Sequence, residues 1–180
     1  MIRTRVGYAG GTTAGPTYYN LDGHSETIEI DYDPDQISYQ ELLDVFWAGH
    51  SPTRPSFSRQ YASIIFVHDE EQRRLAQTTK EAAEAACDCT IYTEIVPAPT
   101  FYRAEDYHQK YMLRQSRAVM AEFSALYPDP VDFVDSTAAA RVNAYLGGHL
   151  TFDELEAEIE ELELSPEAQE SLLEAARNRR

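Results

Sequence analysis

The sequence predicts a mixed core of strands and helices, α/β or α+β, followed by a helical extension. Three observations carry this expectation. Strand-like and helix-like stretches take turns between residues 27 and 123, as in a layered mixed fold. Tyr127-Pro128-Asp129-Pro130 then breaks the chain, and the composition changes beyond it. At 180 residues and 43% hydrophobic content, there is enough material for one compact domain and an appendage. The expected division is residues 1–128 for the core domain and 129–180 for an acidic helical extension.

Taken in order, Gly7, Gly10, Gly11, Gly15 and Pro16 read as a loop able to adopt positive φ. Thr27 to Tyr32 alternates, with Ile28, Ile30 and Tyr32 on one side, and predicts a half-buried strand ended by Asp33-Pro34. Ser38 and Glu41 form a capping box for a helix running to about Trp47. His50 to Gln60 is a loop, and Ala62 to Val67 an apolar strand expected to lie centrally in its sheet. Asp69 is the expected N-cap of a helix through Ala86. Thr90 to Val96 predicts a strand, and Glu105 to Phe123 one helix with Tyr107, Tyr111 and Leu113 as burial candidates. Three helices are expected in the extension: Ser136 to Leu146, stopped by Gly147 and Gly148; Thr151, paired with Glu154, to about Leu162; and one from Pro166, capped by Ser165.

The net charge of −16 argues against nucleic acid, whose binders neutralise phosphate, and against an anionic membrane. Half of it, 12 acidic residues against 4 Arg, lies in residues 131–180 and reads as a solvated helix face. No run is long and apolar enough for a spanning helix or a signal core, so the cytoplasm is the expected location. Cys87 and Cys89, two residues apart, imply no disulfide framework and make a poor zinc site, so no metal is expected. A thiol at a helix C-terminus meets the negative pole of the dipole, which is poor placement for a nucleophile. They read as small, partly buried residues at a strand edge. The five histidines show no metal-binding spacing, and His50 and His108 are expected to be structural hydrogen-bonders. Neither a phosphate-cradling glycine pattern nor a serine nucleophile elbow occurs.

The candidate chemistry gathers around Glu26. Gly23-His24-Ser25-Glu26 places a carboxyl where a loop enters a strand, with Tyr18 and Tyr19 just before it. A carboxyl among tyrosines in a partly dry cleft is suited to hold a proton and act as a general acid. Tyr61 opens the second apolar strand and is expected to face the same cleft as Tyr18.

Several segments together resemble the A-type peptide methionine sulfoxide reductases. They are RVGYAGG at 5–11, PTY at 16–18, GHSE at 23–26, YDP at 32–34, ISYQELLDVFW at 37–47, QY at 60–61, TEI at 93–95 and FYRAEDYHQKY at 101–111. The resemblance implies reduction of the S epimer of methionine sulfoxide, free or in proteins, to methionine. Glu26 is then the acid that protonates the sulfoxide oxygen, with Tyr18 and Tyr61 as its hydrogen-bonding partners at the substrate site. The implied nucleophile is a cysteine thiolate that becomes a sulfenic acid, discharged by thioredoxin or another thiol, with no further cofactor.

The resemblance also implies a fold: a ferredoxin-like α/β plait of α+β class, here lacking its first strand and helix, with the C-terminal helical extension. Those first elements carry a GCFWG segment with the nucleophile, which the family places ahead of RVGYAGG. Met1 is therefore expected to be internal to a longer protein, a GTG valine codon having been read as a start. A position often Asp falls at Ser56, and no cysteine follows Cys89 to serve as a C-terminal resolving thiol. The alternative is a non-catalytic relative whose Glu26 and tyrosine cleft binds methionine sulfoxide or a methionine-bearing peptide.

Overall fold

In a computed structural model the described residues are 2–162 and 164–177. They form two compact units: Val6–Ala104 in one, and Ile2–Arg5 with the chain from Glu105 onward in the other.

In the first unit, β1 (Arg3–Ala9, whose first residues belong to the second unit) lies between β2 (Ser25–Asp31) and β5 (Tyr102–Arg103). Gly7, expected in a loop, is inside this strand. It stands opposite Arg103 in an antiparallel pair, where a Cβ would run into the Phe101 ring and the Tyr102 carbonyl. The glycine thus serves close strand approach rather than a turn. A second sheet pairs β3 (Ile64–Val67) with β4 (Glu94–Pro97) in parallel, Ile64 opposite Glu94 and Val67 opposite Pro97. The crossover is α2 (Glu70–Cys87), a helix of the length such a connection requires.

The local signals place the helices well. Ser38 and Glu41 form their capping box at the start of α1 (Tyr39–Ala48), and Asp69 accepts the Gln72 amide at 2.7 Å at the start of α2. Leu43, Ile65, Val67 and Ala76 make the small apolar core between these elements. The α+β class is borne out. The strand expected to be central is not: β3 has β4 as its one strand neighbour, and its residues alternate between buried and half-buried. Four-residue β4 is also shorter than Thr90 to Val96. The Tyr92 amide donates to the Pro52 carbonyl at 2.9 Å, and Lys80 Nζ donates to the Thr93 carbonyl at 2.8 Å, so these groups are satisfied outside a ladder.

The second unit is helical: α3 (Tyr111–Gln115), α4 (Arg117–Leu126), α5 (Pro130–Asp135), α6 (Thr137–Gly147), α7 (Phe152–Glu158) and α8 (Pro166–Arg177). Phe123, Val119 and Leu113 join Val134, Val142, Leu155 and Leu172 in one buried cluster, so the extension helices share a core with α3 and α4. Asp129 and Pro130, expected to break the chain, instead cap and open α5.

The helix expected over Glu105 to Phe123 is interrupted. A short 3-10 turn (Asp106–His108) is followed by Lys110 at φ 50, and Ser116 separates α3 from α4 in an extended conformation. Leu113 is buried as expected, whereas Tyr107 and Tyr111 stay exposed. The break turns Lys110 inward, where it is 5% exposed and its Nζ donates to the Thr4 carbonyl at 2.7 Å and to Thr4 Oγ1 at 3.0 Å. Beside it, Asp135 accepts from Arg5 Nε at 2.7 Å and from Arg3 at 3.2 Å. The bond from Arg5 holds the Asp135 carboxyl below the usual range.

Burial pushes the Lys110 amine down to about 8, with the Asp135 charge opposing and the Arg5 charge adding to the effect. Because the folded value lies below that of the unfolded chain, the unfolded state binds more protons above pH 8, and stability rises with pH there. Chemical denaturation from pH 7 to 9.5 is expected to show a gain of about 2 kcal/mol that Lys110→Met lacks. Above pH 10 the trend reverses. Burial foremost raises Tyr39 to about 12 and raises Tyr145 as well, so the unfolded tyrosines ionise first.

Candidate active site

Residues on β2 and on the loop before β3 meet in the first unit. Ser25, the first residue of β2, is 1% exposed, and its hydroxyl donates to the Arg59 carbonyl at 2.6 Å. Arg59 opens a 3-10 turn, Arg59–Tyr61, and pairs through its guanidinium with Glu94 on β4 at 2.5 Å. The next residue on each side makes the next contact: Gln60 Nε2 donates to Glu26 Oε1 at 2.8 Å. Two adjacent residues of the strand are therefore tied to two adjacent residues of the turn.

Behind Ser25, the buried ring of His24 makes a 2.9 Å hydrogen bond through Nε2 to the Thr13 carbonyl and meets Tyr102 edge-on at 5.5 Å. A Cβ at Gly11 would occupy the His24 ring position. The glycine-rich loop is thus what lets His24 pack, and His24 sets the entry of Glu26 into β2.

Glu26 and Tyr61 line one cavity of about 540 Å³ that runs between β2, α1 and β3. Its wall includes Ile28, which is 56% exposed although it lies on the apolar side of the alternating strand. Tyr39 contributes a buried hydroxyl with no hydrogen-bond partner among the described residues. His50 closes one end, its two ring nitrogens bonded to the Phe46 carbonyl at 2.7 Å and to Ser63 Oγ at 2.8 Å, the structural role expected for it.

The three sequence candidates are placed differently. Glu26 is exposed and bonded to Gln60 rather than set in a dry cleft. Tyr61, half exposed, borders the same cavity and packs its ring at 5.4 Å against Phe57, which is 88% exposed. Tyr18 is exposed on the loop before β2, edge-on to Tyr19 at 5.6 Å, and is not part of the cavity wall. The arrangement offers a carboxyl as proton donor or acceptor and a phenol as hydrogen-bond donor at one apolar opening.

A sequence model described as peptide methionine sulfoxide reductase matches residues 1–129. The chain belongs to this family. A peptide methionine sulfoxide reductase of Drosophila melanogaster is 43% identical over 169 residues, covering 92% of this chain and 67% of that protein. The span exceeds the 129 residues of the family match, so most of the helical extension is shared with that relative. Peptide methionine sulfoxide reductase A5 of rice is 41% identical, and the match takes in 81% of this chain but 59% of the relative. Among solved structures, reduced Mxr1 of Saccharomyces cerevisiae aligns with TM-score 0.58 and 29% identity, over 63% of this chain and 70% of that one. Methionine sulfoxide reductase A of Corynebacterium diphtheriae aligns with TM-score 0.53 and 32% identity, over 63% of each chain.

Within this reductase family member, reading the sequence missed Gln60 and Phe57 as parts of the site. Gln60 was visible as half of the QY motif, but only the fold puts its amide beside Glu26. The bond beneath that contact is testable. Ser25→Ala removes the donor of a part-buried hydrogen bond and is expected to cost about 1 kcal/mol in denaturant unfolding. It should also broaden the NMR signals of Gln60 and Tyr61, since the turn loses its tie to β2.

Proposed function

We propose that this chain carries the sulfoxide-binding and proton-donating part of a reductase acting on the S epimer of methionine sulfoxide, free or in proteins. The observation that carries this reading is the cavity shared by Glu26 and Tyr61, with Glu26 held by Gln60 of the same turn. As a thiolate attacks the sulfoxide sulfur, the oxygen gains negative charge. A carboxyl proton from Glu26 and phenol hydrogen bonds from Tyr61 and Tyr18 favour that transition state and let the oxygen leave as part of a sulfenic acid. Tyr18 reaches this role by movement of its loop, because it stands outside the cavity wall.

The nucleophile in this reading is a cysteine on a segment ahead of RVGYAGG, and two strand edges at the cavity support it. β2 and β3 end their respective sheets, each with one strand neighbour, and both line the cavity. A strand between them pairs both edges and covers Ile28. Thioredoxin or another thiol then returns the sulfenic acid to the thiol.

A second reading, a binding relative without turnover, is favoured by one observation. The two cysteines of the sequence, Cys87 and Cys89, are bonded to each other, which leaves no free thiol among the described residues.

The two readings separate in one series. The 180-residue chain is expected to bind methionine S-sulfoxide, seen as NMR shifts at Glu26 and Tyr61, without reducing methyl p-tolyl sulfoxide in dithiothreitol. Joined to a segment bearing Gly-Cys-Phe-Trp-Gly, it should turn over, and Glu26→Gln should then lower kcat by about 10²–10⁴. Failure of the joined protein to turn over leaves the binding reading. Turnover by the 180-residue chain that Cys87→Ser abolishes would overthrow both.

A further inference from the structure

Cys87 and Cys89 form a disulfide across a separation of two residues, at the point where α2 ends. This bond does little for the fold. The stabilisation a disulfide gives by restricting the unfolded chain grows with the loop it closes, and a ring of three residues lies at the bottom of that scale. The local conformation is also held by other means. Asp88 sits in the left-handed region at φ 49 as the C-cap, and its amide donates to the Glu84 carbonyl. The Cys89 amide lies 3.4 Å from the same carbonyl, and the Ile91 amide donates to Glu84 Oε1 at 3.2 Å. The helix end is therefore capped whether or not the sulfurs are joined.

The bond is also open to attack. Cys87 and Asp88 are exposed and Cys89 is half-buried, at a helix terminus of the first unit. Disulfides that are exposed and structurally dispensable are those that exchange with solution thiols, whereas structural ones are shielded. Cys87 is the last helical residue, where the negative pole of the dipole disfavours a thiolate, and Cys89 lies beyond it. The exposed Cys87 sulfur is thus the one to be attacked, and Cys89 the better leaving group.

We propose that Cys87 and Cys89 form a redox-active thiol–disulfide exchange site whose reaction partner is a dithiol. One thiolate of the partner attacks Cys87 Sγ. The bond between the two protein sulfurs breaks, and its electron pair leaves with Cys89 as a thiolate that takes up a proton. The partner's second thiol, losing its proton, attacks its own sulfur in the mixed disulfide. Cys87 departs and is protonated, and the partner closes its own disulfide. Two electrons and two protons pass to the protein, and the reverse sequence delivers them to an oxidised dithiol. The site stands apart from the Glu26 cavity, whose wall contains neither cysteine.

The test compares native and guanidinium-unfolded chain in dithiothreitol, quenching with iodoacetamide and counting labelled thiols by mass. The expected result is native reduction within about tenfold of the unfolded rate, with the melting temperature unchanged to within about 1 °C. After removal of dithiothreitol, excess oxidised glutathione should then restore the intramolecular bond without dimer formation. Cys87→Ser and Cys89→Ser should both melt with the parent. Native reduction slowed by about 100-fold or more would overturn the proposal and make the bond a shielded structural one. So would a melting temperature lowered by about 5 °C on reduction, or two free thiols in protein equilibrated with excess oxidised glutathione.

Discussion

One hydrogen bond, from the Ser25 hydroxyl to the Arg59 carbonyl, sets the register on which the candidate site depends. It joins residues 34 apart in the chain and is buried at the Ser25 end. A slip of one residue along β2 would exchange its faces and point Glu26 away from the turn. With the register fixed, Glu26 must meet Gln60, and Tyr61 must open onto the cavity that Glu26 borders. The turn is anchored a second time by the ion pair between Arg59 and Glu94. That pair is partly exposed and worth little by itself, so the buried hydroxyl bond dominates the positioning.

The two units contrast in how they cover apolar surface. The helical unit has a continuous core in which Phe123, Val134, Leu155 and Leu172 are shielded, and its ends are tied by polar contacts. Glu122 accepts the Ser165 amide at 3.0 Å at the start of α8, and Glu158 accepts from both Tyr145 and Arg141. The sheet unit has a smaller central cluster of Leu43, Ile65, Val67 and Ala76, while Ile28 on β2 and Val45 on α1 remain exposed. An alternating strand whose apolar side faces an open cavity has a surface that binding can cover. The exposed apolar surface and the candidate chemistry thus coincide in the same place.

How much of this was legible in the sequence follows from the range of the interactions. Caps are local, and the capping boxes of Ser38 with Glu41 and of Thr151 with Glu154 were readable because all their atoms lie within four residues. Gly148 in the left-handed region ends α6 for the same reason. The break at Lys110 was not legible. Lys110 there is bonded to Thr4, 106 residues away, a contact that no local pattern reveals. The strand at Arg3–Ala9 was hidden by Gly7 and the glycines that follow it, which read as loop until Phe101 and Tyr102 are seen pressing on Gly7. Glu26 and Tyr61, which border the cavity, both stand in legible motifs. Gln60 needed the fold, and Tyr18 is the candidate the fold leaves at a distance.

Sulfoxide reduction by a thiol makes two separate physical demands: a nucleophile at sulfur, and a proton for the departing oxygen. Nothing requires both to come from one stretch of chain. A proton donor needs a carboxyl positioned by fixed neighbours, which β2 and the Arg59–Tyr61 turn provide. A sulfur nucleophile needs a free thiolate near a positive pole, and Cys87 at the C-terminus of α2 has the opposite environment and is already bonded to Cys89. Cys87 and Cys89 therefore stand apart from the cavity that Glu26 borders. Under the proposed reading, the edges of β2 and β3 that lack a strand neighbour among the described residues, both lining the Glu26 cavity, are where a sulfur nucleophile would approach the carboxyl.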